Sequence, residues 1–215
     1  PSQTGIGGNY IIDPDTGEEV MTNSSRFLRN DTILAAASAA GRKVAMVTAK
    51  DKLRELLSKG MDGIATSADK ADDVSLEVNG IDDVESLAGP KPSIYSGEAS
   101  LYTLRVGVEL LAAGRADFLY LSLTDYMQHK FAPEAAESRE FYRAIDAEIG
   151  RLLELGAIVG ITADHARQKI RSEARHHDWK PGPPSFPVHL EPVLSLRMAT
   201  VIGLLFFVFA SMFFL

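Results

Sequence analysis

The sequence predicts an α/β fold built on a doubly wound, mostly parallel sheet with helices on both faces. Two observations favour this fold class. Runs that are apolar almost throughout, as at residues 117–123 and 157–162, are typical of strands buried on both faces. Helical segments lie between such runs, and strands that alternate with helices at these lengths indicate parallel pairing through helical crossovers.

The elements can be assigned in chain order. Gly5, Gly7, Gly8 and the DPDTGEE turn indicate a loop and a hairpin at the start of the chain. Beyond them, Asn30 or Asp31 is expected to cap an alanine-rich helix that ends near Gly41. The remaining predicted elements are a strand at 42–49, a helix at 51–59 stopped by Gly60, a weakly patterned stretch at 61–96, a helix at 98–113, a strand at 117–123, a helix at 138–155 and a strand at 157–162.

Composition limits the classes of function. With 215 residues, 46% of them apolar, the chain can bury one substantial core. A formal charge of −7 argues against a nucleic-acid partner held through phosphate contacts. Cysteine is absent, so a metal would be held by Asp, His, Glu or hydroxyl groups. The lack of cysteine also fits a reducing compartment, and we expect a cytoplasmic protein.

Two predicted strands each lead to one carboxylate and one imidazole. Asp125 and His129 follow one strand, and Asp164 and His165 follow another. Side chains at the carboxyl ends of strands lie where open α/β sheets place their active sites. A helical turn after the first strand would put Asp125 and His129 on one face, because they are four residues apart. For a single pair, a helix-capping aspartate and a surface histidine is the favoured interpretation; the occurrence of two pairs favours a metal site.

The ligand types indicate the metal and the reaction class. Carboxylates and imidazoles without thiolates suit zinc, with manganese or iron as competitors. Two ions about 4 Å apart can polarise a phosphoryl oxygen and activate a nucleophile, as two-metal sites do in phosphoryl transfer. We therefore expect two divalent ions and hydrolysis of a phosphorus-containing small molecule.

Several segments between Gly5 and His165 resemble the phosphonoacetate hydrolases of the alkaline phosphatase superfamily. The segments are GIGGNYIIDPDTGEEVM, VAMVTAKDKLRELLSKG, SADKADD, NGIDDV, YLSLTDYMQHKFAP and ITADH. The resemblance implies that Asp125 and His129 hold one zinc ion, whereas Asp164 and His165 hold the other. It also implies the alkaline phosphatase-like core over residues 1–165.

The same resemblance implies a substrate site. Lys50 and Lys52, from the TAKDK motif, are expected to bind the substrate carboxylate together with His129, and Asn9 of the GNY turn is expected to contact the phosphonate. The implied reaction cleaves the carbon–phosphorus bond of phosphonoacetate to give acetate and phosphate. A phosphodiesterase or nucleotide pyrophosphatase of the same superfamily is the nearest alternative.

The sequence also departs from the family pattern. The nucleophilic threonine and a further metal-binding aspartate would lie before the first matching motif, so we expect a fragment without them that is inactive as given. Ala166 replaces the family's glycine after TADH, and no resemblance follows it. The late histidine of the first zinc site has no match; His176, His177 and His189 are candidates by residue type alone.

Residues 166–215 therefore form a divergent tail, which ends in an uncharged apolar segment at 198–215. Its 18 residues lie at the lower edge of the roughly 17–25 that span a bilayer. The tail is either a membrane anchor, in which case a non-catalytic tethered remnant is the third functional alternative, or the product of a shifted reading frame. The abrupt loss of resemblance at Ala166 favours the second interpretation.

Overall fold

The computed structural model describes residues 3–165 and 202–210, with the backbone alone for residues 163–165 and 202–210. The strands of this part of the chain are β1 (Tyr10–Ile12), β2 (Glu19–Met21), β3 (Val44–Thr48), β4 (Gly63–Ser67), β5 (Phe118–Ser122), β6 (Ala157–His165) and β7 (Ile202–Ala210). The α-helices are α1 (Ile33–Ala39), α2 (Arg54–Leu57), α3 (Leu76–Asn79), α4 (Glu85–Ala88), α5 (Glu98–Ala112), α6 (Tyr126–Lys130) and α7 (Ala136–Glu154). Short 3-10 turns lie at Ser25–Phe27, Asp51–Leu53 and Ala68–Lys70.

The strands form two sheets. β1 and β2 make an antiparallel hairpin, in which Tyr10 pairs with Met21. The other five strands form one sheet in the order β4-β3-β5-β7-β6. β4, β3 and β5 are parallel, and β7 is antiparallel to both of its neighbours, so β6 points in the same direction as β5.

The residues of the two central strands alternate between two apolar layers. Ala45 and Val47 of β3 belong to a cluster with side chains of α5 and α7, whereas Val44 and Met46 face the cluster that contains Leu34 of α1. Successive side chains of a strand point to opposite faces, and each face of these strands packs against one of the two clusters. Every position of β3 and β5 is therefore buried. Helices therefore cover both faces of the sheet, as the sequence predicts.

Helix α5 lies very close to strand β5. A Cβ atom at Gly107 would stand 2.7 Å from both methyl carbons of Leu121, so only a glycine leaves room for that side chain. Leu121 is fully buried. The long helix that precedes the site is thus fixed against the strand that leads to Asp125.

The structure confirms the predicted fold class and hairpin and corrects several elements. Thr32, rather than Asn30 or Asp31, caps α1, and its side chain accepts a hydrogen bond from the Ala35 amide. The predicted helix at 51–59 divides into a 3-10 turn and the four-residue α2. Strand β4 lies in the weakly patterned stretch, and Ile64 is its one large apolar residue. Its pairing with β3 stabilises the strand although the local sequence pattern does not predict it.

The described part of the predicted tail is a strand. β7 pairs with β5 on one side and β6 on the other. No helix in residues 3–165 or 202–210 is long and apolar enough to cross a membrane. His176, His177 and His189 lie outside the described residues.

Candidate metal centre

Three strands end at the same level of the main sheet, each in a hydroxyl residue. Thr48 of β3 pairs with Ser67 of β4 and with Ser122 of β5. Leu205 of β7 pairs with both Ser122 and Thr162, so β6 reaches this level at Thr162 and continues to His165, three residues beyond the predicted end of the strand. The segments that follow these four residues therefore emerge from one edge, the carboxyl edge at which parallel α/β sheets bind their ligands.

Asp125 lies at the centre of a cluster on this edge. Its Oδ1 is 3.6 Å from Nζ of Lys50, which follows β3, and its Oδ2 is 2.9 Å from Nε2 of His129. The chain turns helical directly after Asp125, so the four-residue spacing does bring both groups together. The carboxylate makes no hydrogen bond to the start of α6. Asp125 therefore occupies the N-cap position of α6 but does not cap the helix through its side chain.

The charge state of Asp125 suits a cation ligand. Partial burial raises the pKa of its carboxyl group. The Lys50 ammonium and the hydrogen bond from His129 lower this pKa by more than burial raises it, so the net pKa is below the usual value. The carboxyl group is therefore ionised at neutral pH. Its side chain stays 30% exposed and that of His129 44%, so an ion could reach both ligand atoms from solvent.

The donor set fits a divalent metal as far as it is described. An ion could replace the shared proton between Asp125 and His129, because a carboxylate oxygen and an imidazole nitrogen already face each other. No group of three or more candidate ligands occurs among residues 3–162, whose side chains the structure describes. Asp164 and His165 end β6 at the same edge, two strand spacings or roughly 10 Å from β5. Their side chains lie outside the described residues.

The two lysines differ in position. Lys50 is held at the edge because its carbonyl accepts a hydrogen bond from the Thr48 hydroxyl at 3.0 Å. The next residue, Asp51, accepts hydrogen bonds from Arg54 Nε at 2.7 Å and Ser67 Oγ at 2.8 Å, which fixes the 3-10 turn. Lys52 is exposed and forms no ion pair with any described residue. The structure therefore brings Lys50, but not Lys52, to Asp125.

Asn9 lies at the start of the hairpin, and no described contact joins it to Asp125. Thr22 holds this turn, since its hydroxyl donates to the Gly8 carbonyl at 2.6 Å and its amide to the Asn9 carbonyl at 2.9 Å. The Asn9 side chain is exposed. An ion pair between the buried Asp13 and Arg26 anchors the rest of the hairpin.

The hairpin anchor leads to a prediction about acid stability. The hydrogen bond from Arg26, followed by that from the Asp15 amide, holds the pKa of the Asp13 carboxyl below its usual range. A lowered folded pKa contributes stability above the unfolded value of about 4, which is lost as the pH falls through the folded pKa. We expect Asp13→Asn to destabilise the protein near neutral pH and progressively less in acid.

Urea unfolding of wild type and Asp13→Asn at about pH 6 and about pH 2.5 measures this difference. Asp15→Asn is the matched control, because Asp15 also pairs with Arg26 but its side chain is 80% exposed. The same loss of unfolding free energy at both pH values would contradict the prediction.

Most of the contacts that support the site have no signal in the sequence. Gln128 donates to the Tyr142 hydroxyl at 3.0 Å, which ties α6 to α7. Ser67 and Arg54 orient Asp51 in the turn beside Lys50. Only the i,i+3 spacing of Asp51 and Arg54 could have suggested one of these contacts; the others join distant segments.

Comparison with known proteins tests the resemblance that the motifs predict. The chain matches the type I phosphodiesterase / nucleotide pyrophosphatase family over residues 1–173. It is also similar to crystal structures of phosphonoacetate hydrolase from Sinorhizobium meliloti 1021. The structure in complex with phosphonoformate is 44% identical and the structure in complex with phosphonoacetate 43%, each with a TM-score of 0.69 over 77% of this chain. This chain covers 43% of the length of those structures. The resemblance predicted from the motifs is confirmed.

Proposed function

The chain belongs to the type I phosphodiesterase / nucleotide pyrophosphatase family, and from this we propose that it forms part of a metal-dependent phosphonoacetate hydrolase. The reaction would cleave the carbon–phosphorus bond to give acetate and phosphate. The observation that supports it best is the cluster of Lys50, Asp125 and His129 at the carboxyl edge of the sheet. It combines candidate metal ligands with a cation that can bind a carboxylate.

Each residue has a role in this proposal. Asp125 and His129 would hold one divalent ion, and Asp164 and His165, at the same edge, a second. When bound, such ions stabilise negative charge on phosphoryl oxygens and activate a nucleophile. Zinc is the metal we propose, because the ligands are carboxylates and imidazoles. Asn9, on the hairpin, would contact the phosphonate.

Lys50 would bind the substrate carboxylate once a metal ion is bound to its partner, Asp125. In the structure its ammonium faces Asp125 at 3.6 Å. A cation bound to Asp125 would neutralise that carboxylate, which leaves the Lys50 charge available to a second anion on the same edge. Lys52, which follows in the same turn, would add a second positive charge at the rim of the site.

The test of the proposal is hydrolysis by the complete gene product, with phosphate release measured after metal removal and after zinc is restored. We expect phosphonoacetate to be hydrolysed only with metal present. Hydrolysis of phosphodiesters or nucleotide pyrophosphates without hydrolysis of phosphonoacetate would instead favour the second candidate, which the family match supports. No hydrolysis of any of these substrates with zinc present would contradict both.

We predict two ions per complete protein, because two Asp/His pairs provide more ligands than one ion needs. The double variant Asp164→Ala with His165→Ala should lose about one of the two. Elemental analysis after equilibration with excess zinc and removal of unbound metal gives the stoichiometry. One ion or fewer in the wild type, or an unchanged content in the double variant, would contradict the prediction.

We predict that Lys50→Ala lowers turnover of phosphonoacetate far more than turnover of an aryl phosphate ester. The charge contact to a carboxylate is lost only for the substrate that carries one. Lys52→Ala should act in the same direction, with a smaller effect because Lys52 is the more exposed of the two.

The comparison requires kcat/KM for both substrates in each variant. Lys70→Ala is the matched control, since Lys70 also follows a strand end of the sheet but pairs with Asp73. Equal losses on the two substrates would remove both lysines from the specificity role.

A further inference from the structure

We propose that Ser100 is a positioning residue that sets where Asp125 stands relative to Lys50 and His129. Ser100 lies in the first turn of α5 and is fully buried. Its Oγ accepts a hydrogen bond from the Thr124 amide at 3.0 Å and donates one to the Thr124 carbonyl at 3.3 Å. One hydroxyl group thus holds both polar backbone groups of the residue that precedes Asp125.

The link between β5 and α6 depends on this contact. The Thr124 side chain is buried, and its Oγ1 has no hydrogen-bond partner among the described residues, so it does not anchor the link itself. The Thr124 carbonyl belongs to the peptide bond that leads into Asp125. A change in the position of Thr124 would therefore move the Asp125 carboxylate directly.

The start of α5 also contacts the chain that follows Asp125. A Cβ atom at Gly97 would stand 2.9 Å from Cγ and Sδ of Met127, in the first turn of α6. Ser100 and Gly97 consequently contact the chain just before and just after Asp125. The start of α5 therefore determines the position of the candidate metal ligand Asp125.

Loss of the Ser100 hydroxyl would leave two buried backbone groups without partners. Such groups are costly to leave unpaired, so the link would shift toward solvent to satisfy them. The ligand geometry at Asp125 would change while the apolar core around α5 remains intact. The role of Asp125 as a metal ligand rests on the proposed function, whereas the hold of Ser100 on Thr124 does not.

The experiment compares Ser100→Ala with Thr103→Val in the complete gene product. Thr103 lies one turn further along the same helix and is also fully buried, but its hydroxyl donates to the Ala99 carbonyl of its own helix. Both variants lose one buried hydroxyl, and only one of these contacts the link. Ser100→Cys, which retains a weak donor of similar size, serves as a milder second variant.

Two measurements are made on each variant. Amide exchange followed by mass spectrometry reports on residues 123–131, with the segment at 141–152 of α7 as internal reference. Zinc affinity, measured by competition with a chelating dye, reports on the ligand geometry. We expect Ser100→Ala to accelerate exchange at 123–131 alone and to weaken zinc binding about 10–100-fold, as loss of a residue that orients a ligand does. Thr103→Val should change neither, and Ser100→Cys should fall between.

Equal effects of Ser100→Ala and Thr103→Val on both measurements would overturn the inference. Faster exchange at 123–131 with unchanged zinc affinity would overturn it as well, because Ser100 would then be structural only. If Ser100→Ala does not fold, the comparison of Ser100→Cys with Thr103→Val decides in the same way. If the wild type binds no zinc, the proposed function fails, and exchange at 123–131 alone decides whether Ser100 positions the link.

Discussion

Asp125→Ala in the complete gene product is expected to abolish phosphonoacetate hydrolysis and to weaken binding of the first metal ion by more than about 100-fold. Loss of a residue that merely orients a ligand costs about 10–100-fold in affinity, and loss of the ligand itself should cost more. The fold should survive the change. Asp125 and Lys50 are both partly exposed, and contacts of this kind contribute at most about 1 kcal/mol to stability.

Metal content, zinc affinity and the free energy of unfolding should be measured on the same preparations. Asp72→Ala is the matched control, because Asp72 also pairs with one lysine, Lys91, at 2.7 Å and has a lowered pKa for that reason. It lies outside the candidate centre. Normal zinc affinity in Asp125→Ala would show that Asp125 is not a ligand, and a large loss of stability would show that the fold depends on it.

The contact between Gly107 and Leu121 should give a large and non-additive effect on stability. Leu121→Ala removes a fully buried side chain, for which we expect a loss of about 2–5 kcal/mol. Gly107→Ala should be destabilising in the wild type. Its Cβ would stand 2.7 Å from the Leu121 methyls, and overpacking of about 1–3 kcal/mol exceeds the gain of up to about 1 kcal/mol from better helix propensity.

The two changes together should compensate. In the Leu121→Ala background the obstacle to a Cβ at position 107 is gone, and the new methyl group occupies part of the cavity. Gly107→Ala should therefore become stabilising there, which a double-mutant cycle measured by urea unfolding will detect. Leu153→Ala, an exposed leucine on α7, controls for loss of the side chain alone. Additive free energies would mean that α5 and β5 can move apart at little cost.

Sequence patterns predicted the elements that have strong local signals. β3 and β5 are buried along their whole length, so their apolar runs identify them to within two residues at each end. The start of α1 was ambiguous, because Asn30, Asp31 and Thr32 all favour the capping position and only the folded chain selects one. For the apolar run that contains β7, periodicity does not distinguish a buried strand from a helix.

In the candidate site, too, some contacts could be predicted from the sequence and others depend on the folded chain. Asp125 and His129 could be paired from sequence because a helical turn brings residues four apart together. That Lys50 approaches Asp125 depends on the register of β3 with β5, in which Thr48 faces Ser122, and sequence patterns do not contain that register. The hold of Ser100 on Thr124 spans 24 positions and depends on how α5 packs against the sheet.

The outer side of β4 has a consequence for self-association. As the end strand of the sheet, β4 would present unpaired backbone groups to other chains, a common cause of aggregation. The Asn79 side chain occupies one of them, since its Nδ2 donates to the Ala65 carbonyl at 2.9 Å. A Cβ atom at Gly80 would stand only 2.6 Å from the Gly63 carbonyl oxygen, so the end of α3 covers the start of the strand too. Within the described chain, the first half of the outer edge of β4 is therefore closed to an additional strand from another molecule.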